Sequence, residues 1–201
     1  MKIVIATRNE HKVKELKKLL SSNNLNFVAL SEIDPNNEIP EVEETGSTLL
    51  ENAYLKAQEI HNIIGLPCIA DDSGLEVDCL NGEPGVFSAR YAGKNCTVED
   101  NIKKLLFNLR DFSLNERIAS FKTVLAYVDK KLKFDVIGQV KGMIAEKKIG
   151  NNGFGYDSIF IVNEIKKTYA SLSSLEKSKI SHRAEAVKKF LVKFREFDII
   201  D

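Results

Sequence analysis

The stretch Leu66-Pro67-Cys68-Ile69-Ala70-Asp71-Asp72-Ser73-Gly74 decides how this chain is read, because an apolar run there ends in two adjacent carboxylates, a hydroxyl and a glycine. The apolar part reads as a buried strand with the acids at its end. Burying unpaired charge is expensive, so acids in that place require a cation or a full set of donors. A hard divalent ion is the simplest partner, since magnesium takes one or two carboxylates together with water and phosphate oxygens. Gly74 would let the chain turn away sharply after the pair. A strand closing in an Asx-type turn accounts for the same residues, and the rest of the chain has to decide between the two.

Working outward, Lys2 to Ala6 reads as a short strand, and Val13, Leu16, Leu19 and Leu20 recur at helical spacing from His11 onward. A second helix is expected over Thr48 to Ile64, where Thr48 and Glu51 match a capping box. Asn81-Gly82 and Pro84-Gly85 mark residues 80–95 as a loop, and Thr97 opens a helix carrying Ile102, Leu105, Leu106 and Leu109. From Ile118 to Val140 the period shifts to two around Asp129-Lys130-Lys131, the signature of a β-hairpin. Gly142 to Glu146 and Tyr156 to Val162 read as further strands, and Ala184, Val187, Phe190, Leu191 and Phe194 form the stripe of a terminal helix. Strand-loop-helix units beside a hairpin imply an α/β fold with a mixed sheet. No repeat or linker divides the chain, so residues 1–201 are expected to form a single domain.

Composition narrows the function. Lys plus Arg and Asp plus Glu number 29 each, so no global basic field exists to gather a nucleic-acid polymer. Cys68, Cys79 and Cys96 are odd in number and form no C-x-x-C pair, which argues against a disulfide framework or a zinc ribbon and fits a reducing compartment. Neither a signal peptide nor a membrane span is recognisable, and a cytoplasmic location is expected.

Several short constellations surround the acid pair. Thr7-Arg8-Asn9-Glu10-His11-Lys12 is a polar loop aimed at a helix N-terminus, where backbone amides and the helix dipole attract anions. An Asn cap followed by a solvated lysine describes the same residues, and no Walker or dinucleotide motif is present. Glu43 and Glu44 precede Thr45-Gly46 and the capped helix, either to share a metal with the Asp pair or to serve the helix dipole. Lys56 is either a solvated face residue or a phosphate contact. Gly153-Phe154-Gly155-Tyr156-Asp157 brackets an aromatic with glycines, as a stacked base would require or as a simple turn would. Lys177, Ser181, His182 and Arg183 gather donors near a helix start, with Ser181 as its N-cap.

The six motifs ATRNEHK, EETG, IADDSGLEVD, GVFSARYAG, GFGYD and EKSKISHR, in this order and spacing, resemble the inosine/xanthosine triphosphate pyrophosphatase family over roughly residues 2 to 195. The resemblance implies an elongated mixed β-sheet flanked by helices, with two lobes around a central cleft. It also implies a Mg2+-dependent, usually homodimeric enzyme that hydrolyses non-standard purine triphosphates (ITP, dITP, XTP) to monophosphate and pyrophosphate, cleansing the nucleotide pool. Carried over by motif, Asp72 looks like the general base and a metal ligand, and Glu43 like the other metal-associated acid. Thr7, Arg8, Asn9, Glu10, His11 and Lys12 look like the phosphate loop. Ser73, Phe154, Gly155, Tyr156, Asp157, Lys177, His182 and Arg183 look like nucleotide contacts, and Lys56 joins the phosphate side. The family's first loop often has glycine where this chain has Arg8. Two other readings stand beside this one: a pyrophosphatase for modified pyrimidine triphosphates on a related fold, and a non-catalytic nucleotide-binding module.

Overall fold

The computed structural model of the protein describes residues 1–21 and 25–197. Its first strand, β1 (Lys2–Ile5), buries Ile3, Val4 and Ile5 completely, because a parallel strand covered on both faces needs apolar side chains at every position. Asn9 then caps α1 (Glu10–Leu20), its Oδ1 accepting from the His11 and Lys12 amides at 3.1 and 3.3 Å. β2 (Asn26–Ala29) lies parallel to β1, Val28 opposite Val4. One helical turn, α2 (Leu30–Ile33), and an irregular segment lead to α3 (Leu49–Ile64). The expected capping box of Thr48 and Glu51 starts α3, and Gly65 ends it in the left-handed region at φ +69°.

The acid pair lies inside a strand, not at the end of one. β3 (Cys68–Val77) continues through Asp71, Asp72 and Gly74, because Leu75 and Val77 resume the buried pattern and Leu75 pairs with Gly85 of the short β4 (Pro84–Gly85). After α4 (Val98–Asn108), capped by Thr97, come β5 (Ile118–Val128) and β6 (Lys133–Ile144). Asp129 builds the turn between them, its Oδ1 accepting from the Lys131 and Leu132 amides at 2.7 and 2.8 Å. The strand expected at Gly142 is the continuation of β6. Gly142 lets the neighbouring β7 (Phe160–Val162) close on it, since a Cβ there would stand 2.2 Å from the Ile161 carbonyl oxygen. Tyr156 itself lies in a 3-10 turn over Gly155–Ser158 that precedes β7. β8 (Lys167–Thr168), α5 (Ser174–Ile180) and α6 (His182–Glu196) complete the chain. The sequence reading starts the terminal helix at Ser181 and names no helix before it, although Ser173 and Glu176 form a capping box for α5.

Among the described residues eight strands form one mixed sheet flanked by helices, in the order β2-β1-β3-β5-β6-β7-β8, with β4 on β3. β1 is parallel to β2 and β3, whereas β6, β7 and β8 are antiparallel neighbours. The chain divides into two compact units. The first comprises Met1–Asp72, Thr123–Gly138 and the segment from Arg183; the second comprises Ser73–Lys122 and Gln139–His182.

Strand alternation gives the first unit two cores. Ile3 and Ile5 pack with Leu16, Leu125, Tyr127, Phe134, Phe190 and Phe194, while Val4 and Ala6 pack with Val28, Ala57, Ile60, Cys68 and Val128. The second unit gathers Leu75, Val77, Ile102, Leu105, Phe121, Phe160 and Tyr169. Phe190 is fully buried, with ring centroids 4.5 Å from Phe194 and 5.3 Å from Phe134. Phe190→Ala is expected to remove about 3–5 kcal/mol of stability, read as a lowered urea midpoint by circular dichroism. Phe197→Ala, at a ring that is 45% exposed, should move the midpoint far less.

Candidate active site

Adjacent residues on a strand project to opposite faces, so Asp71 and Asp72 meet different partners. Asp71 is fully buried, and its Oδ2 accepts from Arg183 Nε at 3.1 Å and Nη2 at 2.9 Å. Arg183 also pairs with Glu15, one turn along α1 from Lys12, and the Lys12 ammonium stands 3.4 Å from Asp71 Oδ1. Burial opposes ionisation of Asp71, but Lys12, Arg183 and Lys56 more than offset it and hold the carboxyl far below the usual range. Burial pulls the Lys12 ammonium down, and Asp71 reverses only part of that. Asp71 is therefore a permanent anion, locked between a guanidinium and an ammonium.

Asp72 is poised differently. Its Oδ1 accepts from Lys56 Nζ at 2.7 Å, and the same ammonium donates to Glu44 Oε1 at 2.8 Å. Burial raises the Asp72 carboxyl, Lys56 and Lys12 pull it back, Glu44 adds repulsion, and the net shift is upward. For Lys56 burial acts downward, but Asp72, Asp71 and Glu44 together outweigh it and raise the ammonium. A carboxylate with a raised pKa is the better proton acceptor near neutrality, so the two acids divide into a structural anion and a basic one.

The donor set also fits a divalent cation. Two carboxylate oxygens converge on one positive charge at Lys56 Nζ, and hard oxygen donors of that number leave room for water and phosphate, as magnesium prefers. Among the described residues no group of three or more His, Cys, Asp and Glu side chains forms a closed cage, so a zinc-type structural site is not what this arrangement offers. The acid that reaches the cluster is Glu44, whereas Glu43, the acid named by the sequence resemblance, is exposed. In an irregular segment that passes along α3, consecutive side chains point in different directions, and Glu44 is the one that meets Lys56.

The first loop is only partly turned toward this cluster. Thr7 Oγ1 accepts from the Asn9 amide at 3.2 Å, and Asn9 spends its side chain on the α1 cap. Arg8 has no positive φ, so its backbone does not need glycine there. Its guanidinium meets Asp34, Asn37 and the Ile39 carbonyl oxygen, the last at 3.0 Å. Glu10 and His11 are exposed.

A second cluster lies in the other unit. Asp157 Oδ2 accepts from Lys177 Nζ at 2.6 Å and from the Phe154 amide at 2.9 Å. Gly153 and Gly155 hold φ of +76° and +58°, and a Cβ on Gly153 would fall 2.0 Å from Asp157 Oδ2. These glycines thus shape a loop folded onto a carboxylate. Lys177 Nζ lies 4.9 Å from the Phe154 ring centroid and 5.5 Å from that of Tyr169, and the His182 ring stacks on Phe121 at 4.7 Å and 10°. Tyr156 belongs to the core, its hydroxyl donating to the Ser88 carbonyl oxygen at 2.9 Å. Ser73 is half-buried on β3. The chain passes between the two units at Asp72-Ser73 and again at His182-Arg183.

Sequence reading misses Glu15, Phe121 and Tyr169. Glu15 carries a signal, since it lies three residues after Lys12 and so on the same helix face. The two rings carry none, because nothing local distinguishes a core aromatic that touches the histidine of a motif from one that does not.

The dITP/XTP pyrophosphatase of Photorhabdus laumondii is 45% identical over 193 residues, covering 94% of this chain and 96% of its own. The structure of the Staphylococcus aureus Ham1 protein superimposes with a TM-score of 0.85 at 43% identity, covering 98% of this chain and all (100%) of its own. A HAM1 protein from Coxiella burnetii gives a TM-score of 0.87 at 40% identity, covering 98% and 99%. The Ham1 family model matches residues 3–193, and this chain belongs to the Ham1 family.

Proposed function

We propose that this chain hydrolyses dITP, ITP and XTP to the nucleoside monophosphate and pyrophosphate, residues 1–201 acting as one nucleoside-triphosphate pyrophosphatase domain. The observation that carries the reading is the Asp72 carboxylate, buried, raised in pKa and held 2.7 Å from Lys56 beside Glu44, in a chain of the Ham1 family. Relatives named dITP/XTP pyrophosphatase, 45–47% identical over nearly the whole chain, support it.

In this reading Lys12, Lys56 and the N-terminus of α1 receive the triphosphate, with residues 7–12 forming the phosphate loop. Asp72 and Glu44 would hold Mg2+, with Glu43 adjacent to Glu44 in the chain. The ion, when bound, screens phosphate charge and acidifies a water molecule. Asp72 takes one proton from the attacking water as its oxygen bonds to the α-phosphorus, and the bond from that phosphorus to the bridging oxygen breaks, releasing pyrophosphate. The lysine charges stabilise the leaving group. Ser73, residues 154–157, Lys177, His182 and Arg183 take the nucleoside. Hypoxanthine and xanthine present an acceptor oxygen at C6 where adenine presents a donor, so a buried ammonium such as that of Lys177 selects the former; a mismatched buried donor costs roughly 1–3 kcal/mol. The family resemblance further supports a cytoplasmic homodimer that needs neither nucleic-acid polymer nor membrane. Among the described residues no helix is long and apolar enough to cross a membrane.

Pyrophosphate release measured in parallel with dITP, XTP, GTP, ATP and dTTP, with and without Mg2+, should show turnover of the first two only and only with the ion. Equal rates with ATP would contradict the reading. Asp72→Asn is expected to abolish most turnover while circular dichroism and the thermal midpoint stay near those of the wild type. Asp71→Asn acts on the fold instead: it leaves buried Lys12 without its carboxylate and Arg183 with Glu15 in place of two acids, and should cost about 3–5 kcal/mol. Because the folded-state pKa of Asp71 is depressed, its contribution is complete above about pH 4 and is lost as pH falls below that value. The stability gap between wild type and Asp71→Asn should therefore narrow in acid, which urea titrations at a series of pH values would read.

A further inference from the structure

We infer that Asn52 is a positioning residue for the cation site, fixing the segment that presents Glu44; the inference rests on the proposed role of Glu44 and Asp72 as metal-holding acids. Asn52 is fully buried on α3, four residues before Lys56, so the two side chains occupy the same helix face one turn apart. Lys56 grips the acidic segment at Glu44, and Asn52 grips it two residues later, its Oδ1 accepting from the Gly46 amide at 2.8 Å. That bond also fixes the orientation of the side chain, since an N–H must face the oxygen. The other end, Nδ2, is a buried donor with no hydrogen-bond partner among the described residues. A buried unpaired amide costs free energy, and an asparagine retained in that state has a requirement beyond packing, which an apolar residue would meet at lower cost.

Gly46 shows the same grip from the other side. A Cβ there would lie 2.6 Å from Asn52 Oδ1, 2.7 Å from Glu51 Cβ and 3.0 Å from the Asn52 amide nitrogen, so only glycine allows the backbone to sit this close to α3. The segment 40–46 has no regular secondary structure of its own. Two of the contacts that place its Glu44 carboxylate come from α3: the Lys56 ammonium, which a bound cation would displace, and the neutral Asn52 amide, which it would not. Asn52 is a contact that persists when the cation arrives.

The test measures Mn2+ binding to the substrate-free protein by electron paramagnetic resonance, alongside the thermal midpoint, for the wild type, Asn52→Ala and Gly46→Ala. Asn52→Ala removes the acceptor, and Gly46→Ala forces the segment off the helix with Asn52 intact. Both are expected to weaken Mn2+ binding at least tenfold in protein that is still folded at the temperature of the measurement. Wild-type affinity in both folded variants would overturn the inference while leaving the cation site standing. Absence of Mn2+ binding by the wild type itself would overturn the cation site and the inference with it. If Asn52→Ala does not fold, Gly46→Ala decides alone.

Discussion

Two adjacent carboxylates in the middle of a buried strand must each be neutralised, and the strand's alternation forbids them a common solution. Asp71 and Asp72 project to opposite faces of β3, so the counter-charges have to arrive from separate elements. Lys12 comes from α1, Lys56 from α3 and Arg183 from α6. Within the first unit, three helices are thus tied to one point of the sheet by charge as well as by apolar packing. Removing Asp71 is costly because the Lys12 ion stays buried, whereas Lys56 keeps Glu44 when Asp72 is neutralised. The same bonds give the acids opposite characters: cations on Asp71 outweigh its burial, whereas burial of Asp72 outweighs its cations.

The second unit solves a similar problem with one acid. Asp157 accepts from a lysine on α5 and from the backbone of its own glycine-bounded loop. A single carboxylate there sets the position of a cation and the path of the chain around Phe154. Gly153 is what makes this possible, since any side chain at that position would enter the space of the carboxylate.

Much of this was legible in the sequence, for physical reasons that can be named. β1, α1, α3, α4, the β5-β6 turn and α6 announce themselves through apolar periodicity and through capping residues such as Thr48 with Glu51. The extent of β3 did not, because Gly74 signals a break that Leu75 and its pairing with Gly85 override. The short β2, β4 and β8 offer too few residues for a period to be read. At the site, Asp72, Lys12, Lys56, Asp157 and Lys177 were recognisable as motif members. The choice between Glu43 and Glu44 was not, since it depends on which way an irregular segment faces. Arg8 stood out as a departure from the family's usual glycine, but only the fold shows its guanidinium against Asp34 and Asn37.

The cluster around β3 sets four carboxylates, Asp71, Asp72, Glu44 and Glu15, against three cations, Lys12, Lys56 and Arg183. Its formal charge with every group ionised is −1, and zero if Asp72 carries a proton. A site in that electrical state has no surplus positive charge to offer a polyanion. A triphosphate can settle there only with its charge offset by a cation, so the acids that would hold the metal also make the site a poor host for a nucleotide that lacks one.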